Sequence, residues 1–270
     1  LTVFGKIGQW GLKYAEKSPL KGRTMSKFAV ILPAAGKSSR FRDTFYKKPF
    51  IPMANKAVWL YSAERFLNRD DVVQTIMVIS AEDREHFNMK FGANIAILGI
   101  EVVEGGAERS DSVEAALARV KPAADFVCIH DAARPCICDE WIDTIFAAAE
   151  KSDAAIFALP VPGTLKRVGG DHQIQETVSR ENLWEAQTPQ VFRRQLLLDA
   201  YAKRQGFKAT DDAQLVERIG HPVTVVTGSS INLKITTRED LRLAEQALKA
   251  LPKPKIFGGG NPFADDDKWR

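Results

Sequence analysis

Cysteine is scarce in this chain, and no sign of charge dominates it. Only Cys128, Cys136 and Cys138 occur. An odd set crowded into one stretch excludes a disulfide framework and points to a reducing compartment, the cytoplasm. With His130 the last two would make part of a zinc site, but a further ligand at the usual spacing is missing, so buried thiols are expected. Lys and Arg number 38 against 34 Asp and Glu, well mixed, for a net charge of +4. Without a basic stripe there is no nucleic-acid surface, and the small surplus suits small anionic substrates. No apolar run approaches the length of a membrane span, and the first residues lack the apolar core of a secretory signal.

Glycine is also missing where two familiar phosphate loops would need it. The run Phe28-Ala29-Val30-Ile31-Leu32 has the unbroken apolar character of a buried parallel strand, and Pro33 ends it without starting a helix. A P-loop would require glycine at the place of Ile31, inside that strand, and a dinucleotide fingerprint needs several glycines where Gly36 stands alone. Past the strand the chain is backbone with little side chain. Ala34, Ala35 and Gly36 let a polyanion approach the main-chain N–H groups, and Lys37, Arg40 and Lys48 surround it with positive charge. A nucleoside triphosphate suits such a cradle; an ordinary strand-to-helix turn is the plainer alternative.

From there the pattern alternates. Strands are expected at 28–32, 72–79, 100–103, 125–129, 154–159, 223–226 and 231–235, and helices near 56–67, 82–91, 110–120, 139–150, 193–205, 211–219 and 238–251. This order predicts an α/β fold with a doubly wound, mostly parallel sheet. Thr237-Arg238-Glu239-Asp240 is a capping-box variant that sharpens the start of the last helix. Residues 160–190 break the rhythm. Val168 and Ile174 flank a turn through Gly169-Gly170-Asp171-His172, which predicts a protruding β-arm over about 160–182, too small to be stable alone. A second subunit is the natural surface for it, hence a homodimer; His172 in the turn reads as solvated. Residues 1–24 are set apart as an extension ahead of Met25, and 252–270, with Gly258-Gly259-Gly260 and Asp265-Asp266-Asp267, as a flexible tail. One domain at 25–251 remains.

In an open α/β sheet, ligands gather beyond the carboxyl ends of the strands, so the polar residues just after each apolar run are the candidates. They are Arg40 and Lys48; Gly105-Gly106 through Ser112; His130-Asp131-Ala132-Ala133-Arg134-Pro135; and later Thr164, Arg180, Thr210 and Lys234. Cations and hydroxyls dominate, and no Ser/His/Asp nucleophile arrangement is present. Asp131 ends a buried strand, where a lone carboxylate is costly. Mg²⁺ carrying phosphate oxygens would relieve that cost, and so would capping a helix that begins near Pro135. Gly105-Gly106 lets a flat base approach the backbone with the Ser112 hydroxyl at its edge, or is simply a turn.

Together the segments Leu32-Pro33-Ala34-Ala35-Gly36 through Arg40, Gly105-Gly106-x-x-Arg109-x-Asp111-Ser112-Val113, His130-Asp131-Ala132-Ala133-Arg134-Pro135, Thr188-Pro189-Gln190 and Asn232-Leu233-Lys234-Ile235-Thr236 resemble those of the 2-C-methyl-D-erythritol 4-phosphate cytidylyltransferases, in the same order. The resemblance implies transfer of CMP from CTP to 2-C-methyl-D-erythritol 4-phosphate with release of pyrophosphate, in non-mevalonate isoprenoid synthesis. It implies that Arg40 and Lys48 stabilise charge at the α-phosphorus, that Asp131 helps hold Mg²⁺, and that Ala34, Ala35, Gly36, Gly106 and Ser112 line the CTP site. Arg134, Thr164, Thr210 and Lys234 would hold the acceptor phosphate, Lys234 also bordering the nucleotide, and Arg180 would reach across from the partner's arm. Three positions depart from the family pattern. Lys47 and Lys48 are adjacent, and Lys48 is chosen because it precedes Pro49; Ser179 stands where the family often has Asp; and Lys37-Ser38-Ser39 is more polar than usual.

The residue types make sense of that reaction. A phosphate monoester is already an ionised nucleophile, so attack on CTP requires charge neutralisation and positioning more than a general base. Two rival readings are a cytidylyltransferase for another polyol phosphate, such as ribitol 5-phosphate, and a noncatalytic nucleotide-binding module. The joint presence of Arg40, Lys48, Asp131 and Lys234 speaks against the latter.

Overall fold

The structure, a computed structural model, describes residues 25–36 and 48–252, with Lys48 described only along its backbone. Strand β1 (Phe28–Pro33) sets the architecture. Phe28, Val30 and Leu32 enter one buried cluster and Ala29 and Ile31 another, so the strand is apolar on both faces and must be covered by helices on both. After β1 come a short ribbon of β2 (Pro52–Met53) and β3 (Lys56–Ala57), then α1 (Val58–Leu67), β4 (Val72–Ile79), α2 (Arg84–Leu98), β5 (Glu101–Glu104) and α3 (Arg109–Leu117). The second half runs β6 (Phe126–Ile129), α4 (Asp139–Ser152), β7 (Ala154–Pro160), β8 (Leu165–Val168), β9 (Ile174–Val178), β10 (Trp184–Arg193), α5 (Arg194–Ala202), α6 (Ala213–Arg218), β11 (Thr224–Thr227) and α7 (Arg238–Ala250).

Among the described residues seven strands form the central sheet, in the order β11-β7-β10-β6-β1-β4-β5. β1 pairs in parallel with β4 on one side and β6 on the other, and β10 alone runs antiparallel, between β6 and β7. The chain therefore steps outward through β4 and β5 and returns to the opposite side of β1. That reversal opens a crevice at the carboxyl ends of β1 and β6, the usual ligand position in such sheets. Helices α1, α2 and α4 cover one face, with Phe28 stacked on Phe146 of α4 at 3.7 Å between ring centroids. Burying one such aromatic side chain contributes about 1.5–3 kcal/mol. Helices α3, α5 and α6 cover the other face, and α7 packs over Met53, Val58 and Ile235.

Several expectations are corrected. The helix expected at 82–91 continues through Gly92 to Leu98 and stops at Gly99, whose φ of 63° only glycine adopts without cost. Strand β10 was not foreseen, because Pro189 inside a run argues against a strand. Here Pro189 falls in a register break between Ala186 and Gln190, where no ladder N–H is required, and its peptide bond with Thr188 is cis. Residues 231–235 form no strand. Their backbone turns back on itself through Asn232 N–H to Ser229 O, and Ile235 N–H donates to Ala133 O at 2.9 Å, so it clamps the loop after β6 instead of joining the sheet. Asp131 caps no helix, since α4 begins at Asp139. The hairpin is as expected: Val168 faces Ile174 across β8 and β9. All three cysteines are buried and free.

Candidate active site

Three loops meet at the crevice. The first leaves β1, where Ala34 N–H donates to Val78 O at 2.7 Å and carries the backbone one step past the strand. The second leaves β5, where Gly105 N–H donates to Ile79 O at 2.7 Å. A Cβ on Gly105 would lie 2.5 Å from Ser112 Oγ and 2.8 Å from the Ala35 methyl, so only glycine lets these two loops close on each other. Gly106 is likewise pressed against Asp111, which accepts the Glu108 N–H at the start of α3. The third loop, after β6, carries Asp131.

A cavity of about 400 Å³ lies between them, lined by Ala34, Ala35, Gly36, Gly106, Ser112, Asp131 and Lys234, together with Arg109 and Glu108. The amino end of α3 borders it and adds the partial positive charge of the helix dipole. Glu108 is paired with Lys208 at 2.6 Å.

Asp131 sits at the floor. Its Oδ2 is 2.7 Å from Lys234 Nζ and 3.5 Å from Arg134 Nε, and its Oδ1 is 4.0 Å from Arg109 Nε. Burial pushes the carboxyl pKa up, but the attraction of Lys234, Arg109 and Arg134 together outweighs it and holds the group well below the ordinary carboxylate range. The carboxylate is thus ionised in a site that would otherwise neutralise it. Arg134 is buried behind Asp131 and donates to Asn232 O at 2.7 Å, while Asn232 Nδ2 donates to Thr188 O at 2.8 Å. Thr188 Oγ1 in turn accepts the Asp131 N–H at 3.0 Å. His130 is wholly buried, with Nε2 2.9 Å from Arg134 O and Nδ1 3.4 Å from Thr188 Oγ1. Nε2 therefore carries the proton and Nδ1 accepts. Burial pushes its pKa down to about 4, so it is a neutral brace for this loop.

Of the residues singled out from the sequence, seven share the cavity and Arg134 stands directly behind it. Thr164 and Arg180 are exposed at the base of the arm, where the Arg180 guanidinium donates to Pro162 O, and Thr210 is exposed between α5 and α6. None of these three lines the cavity within one chain. Arg40 and the Lys48 side chain lie outside the described residues. Arg109 lies within the Gly105–Val113 segment, yet the sequence alone assigns it no role. Its signal was a cation in the first turn of a helix, a position the dipole disfavours unless an anion is near. The charge that answers it is Asp212, with Oδ2 2.6 Å from Arg109 Nη2.

Among the described residues no cluster of three or more His, Cys, Asp or Glu side chains could enclose a metal ion, and no helix is long and apolar enough to cross a membrane. A divalent ion held by one carboxylate and by the phosphates it arrives with needs no such cluster, so the lone ionised Asp131 fits Mg²⁺ in that mode.

Residues 28–250 match the family model described as 2-C-methyl-D-erythritol 4-phosphate cytidylyltransferase. A protein of that name from Rhodopirellula baltica is 46% identical over 231 residues, covering 82% of this chain and 94% of that one. Another from Alkaliphilus oremlandii is 38% identical over 83% of this chain and 96% of its own length. The crystal structure of the Thermus thermophilus protein of the same name superposes with a TM-score of 0.67 at 33% identity, covering 83% of this chain and 99% of that one. On these grounds the chain belongs to the 2-C-methyl-D-erythritol 4-phosphate cytidylyltransferase family.

Proposed function

We propose that this cavity transfers CMP from CTP to 2-C-methyl-D-erythritol 4-phosphate, giving 4-diphosphocytidyl-2-C-methyl-D-erythritol and pyrophosphate. The observation that carries the assignment is the ionised Asp131 among Lys234, Arg134 and Arg109, at the floor of a cavity walled by backbone. The acceptor's phosphate oxygen attacks the α-phosphorus in line, the α–β anhydride bond breaks, and the bridging oxygen leaves with pyrophosphate. No general base is needed, because the attacking oxygen is already ionised. The chain's work is to gather phosphates that repel one another and to hold them in line.

Ala34, Ala35, Gly36 and Gly106 offer backbone to the nucleotide, and Ser112 offers a hydroxyl. Lys234 stands between nucleotide and acceptor, with Arg134 behind it, and Thr210 is assigned to the acceptor side. Arg40 and Lys48 are assigned to the charge that builds at the α-phosphorus. Asp131 would hold Mg²⁺, which when bound neutralises phosphate charge that side chains alone leave unmatched.

The arm suits a homodimer. Val168 and Ile174 are 49% and 62% exposed on a hairpin too small to stand alone, next to the half-exposed Leu183 and Trp184. Packed against a second subunit, the arm would bring Thr164 and Arg180 to the partner's cavity. The buried free thiols suit a reducing cytoplasm.

The test is pyrophosphate release with CTP, Mg²⁺ and a panel of polyol phosphates. The assignment expects 2-C-methyl-D-erythritol 4-phosphate to be the best acceptor; a higher kcat/KM with ribitol 5-phosphate would replace it.

A further inference from the structure

Asp212 lies one layer outside the cavity and is wholly buried. Its two oxygens are held by different helices: Oδ2 is 2.6 Å from Arg109 Nη2 of α3, and Oδ1 accepts the Tyr201 hydroxyl of α5 at 2.7 Å. Its backbone is pinned as well, since the N–H groups of Asp212 and Ala213 both donate to Gln190 Oε1 at 3.2 Å. Gln190 is the last member of the Thr188-Pro189-Gln190 segment, and its Nε2 donates to Asp211 Oδ2 at 2.8 Å. A buried carboxylate fixed from three sides does not move to suit its arginine; the arginine is placed by the carboxylate.

Arg109 is divided between two acids. Its Nη2 is bound tightly to Asp212, while its Nε faces Asp131 at 4.0 Å, beyond hydrogen-bond distance. Without Asp212 the guanidinium would be drawn onto Asp131, because two opposite charges this close and this poorly solvated do not stay apart without another anchor. That collapse would cancel a positive charge facing the cavity and cover a carboxylate oxygen.

We propose that Asp212 is a positioning residue for the transfer reaction: by anchoring Arg109 it keeps the guanidinium off Asp131 and turned to the cavity as a receptor for the polyphosphate of CTP. Tyr201 completes the anchor from the far side, and Gln190 fixes the turn that presents it. The inference rests on the cavity being the CTP site.

The experiment measures kcat/KM for CTP, KM for the acceptor and the thermal midpoint in Asp212→Asn, Arg109→Gln and the double variant. Asp212→Asn is expected to lower kcat/KM for CTP by about a hundredfold, the scale of a misplacement near 1 Å. KM for the acceptor should stay unchanged. In the Arg109→Gln background Asp212→Asn should cost no further activity, and it should restore thermal stability by removing a buried unpaired charge. Losses in kcat/KM that multiply, or a lowered midpoint with kcat/KM for CTP intact, would overturn the proposal. Should Asp212→Asn fail to fold, Tyr201→Phe keeps the carboxylate and removes one anchor. It should raise KM for CTP alone, and a wild-type KM would overturn the proposal equally. Wild-type protein that releases no pyrophosphate from CTP with any acceptor would instead defeat the assignment on which this one rests.

Discussion

Lys234 Nζ lies 2.7 Å from Asp131 Oδ2, yet the two residues make unequal demands on the fold: Lys234 is 41% exposed and its partner only 10%. Lys234→Met should therefore cost the fold less than loss of its partner, because the lysine charge is largely in water and Asp131 keeps Arg134 and Arg109 beside it. Its cost should appear in catalysis, as a raised KM for the acceptor and a lowered kcat. Asp131→Asn removes the carboxylate that answers buried Arg134, and leaving such a charge unpaired costs about 3 kcal/mol or more. Its kcat should fall about a hundredfold. Denaturant unfolding beside steady-state kinetics separates the two variants; equal losses of stability would contradict the asymmetry.

His130 gives the fold a pH dependence with a definite sign. Burial pushes its pKa from 6.5 down to about 4, so between these values the unfolded chain binds a proton that the folded chain refuses. The stability it contributes is complete above pH 6.5 and is lost as the pH falls toward 4, on the order of 3 kcal/mol in all. Thermal midpoints taken across this window should fall on acidification, and His130→Gln should flatten that slope. A wild-type midpoint independent of pH over the window would show that the imidazole does not sense burial.

Much of this arrangement was legible in the sequence because its parts are local. The apolar run of β1, the turn at Gly169-Gly170 and the capping box at Thr237 each declare themselves within a few residues, and all three stand as read. What escaped was long-range. Pro189 hid β10, because whether a proline needs its missing N–H depends on a register break that only the neighbouring strands define. The run 231–235 has a strand's composition, but Ala133 and Arg134 claim its backbone groups. Asp212 sits 103 positions from the arginine it holds, and no spacing rule connects them.

Gly105 and Gly36 should respond to alanine in opposite ways. A methyl on Gly105 meets Ser112 Oγ at 2.5 Å and Ala35 Cβ at 2.8 Å, so Gly105→Ala should destabilise the protein by about 1–3 kcal/mol as the loops are forced apart. On Gly36 a methyl meets nothing within 4 Å among the described residues. Gly36→Ala should leave the unfolding midpoint in place and raise KM for CTP, because the added methyl would occupy room that the nucleotide needs. A Gly36→Ala variant with wild-type KM would remove that loop from the nucleotide site.

The arm offers a test that no single chain can pass. If Arg180 serves the partner's cavity while Asp131 serves its own, Asp131→Asn and Arg180→Ala each silence both sites of a homodimer by different routes. In a mixed dimer one site combines the two lesions and the other has neither. Unfolding and refolding the two inactive proteins together in equal amounts makes about half the dimers mixed, each with one intact site of two, so about a quarter of wild-type activity should return. Ile174→Asp, which places a charge on the exposed apolar tip of the arm, should lower the sedimentation coefficient to that of a monomer and abolish the recovery. Recovery absent from a well-mixed dimer would mean that Arg180 serves its own chain, whereas recovery by a species that sediments as a monomer would exclude the arm as the route.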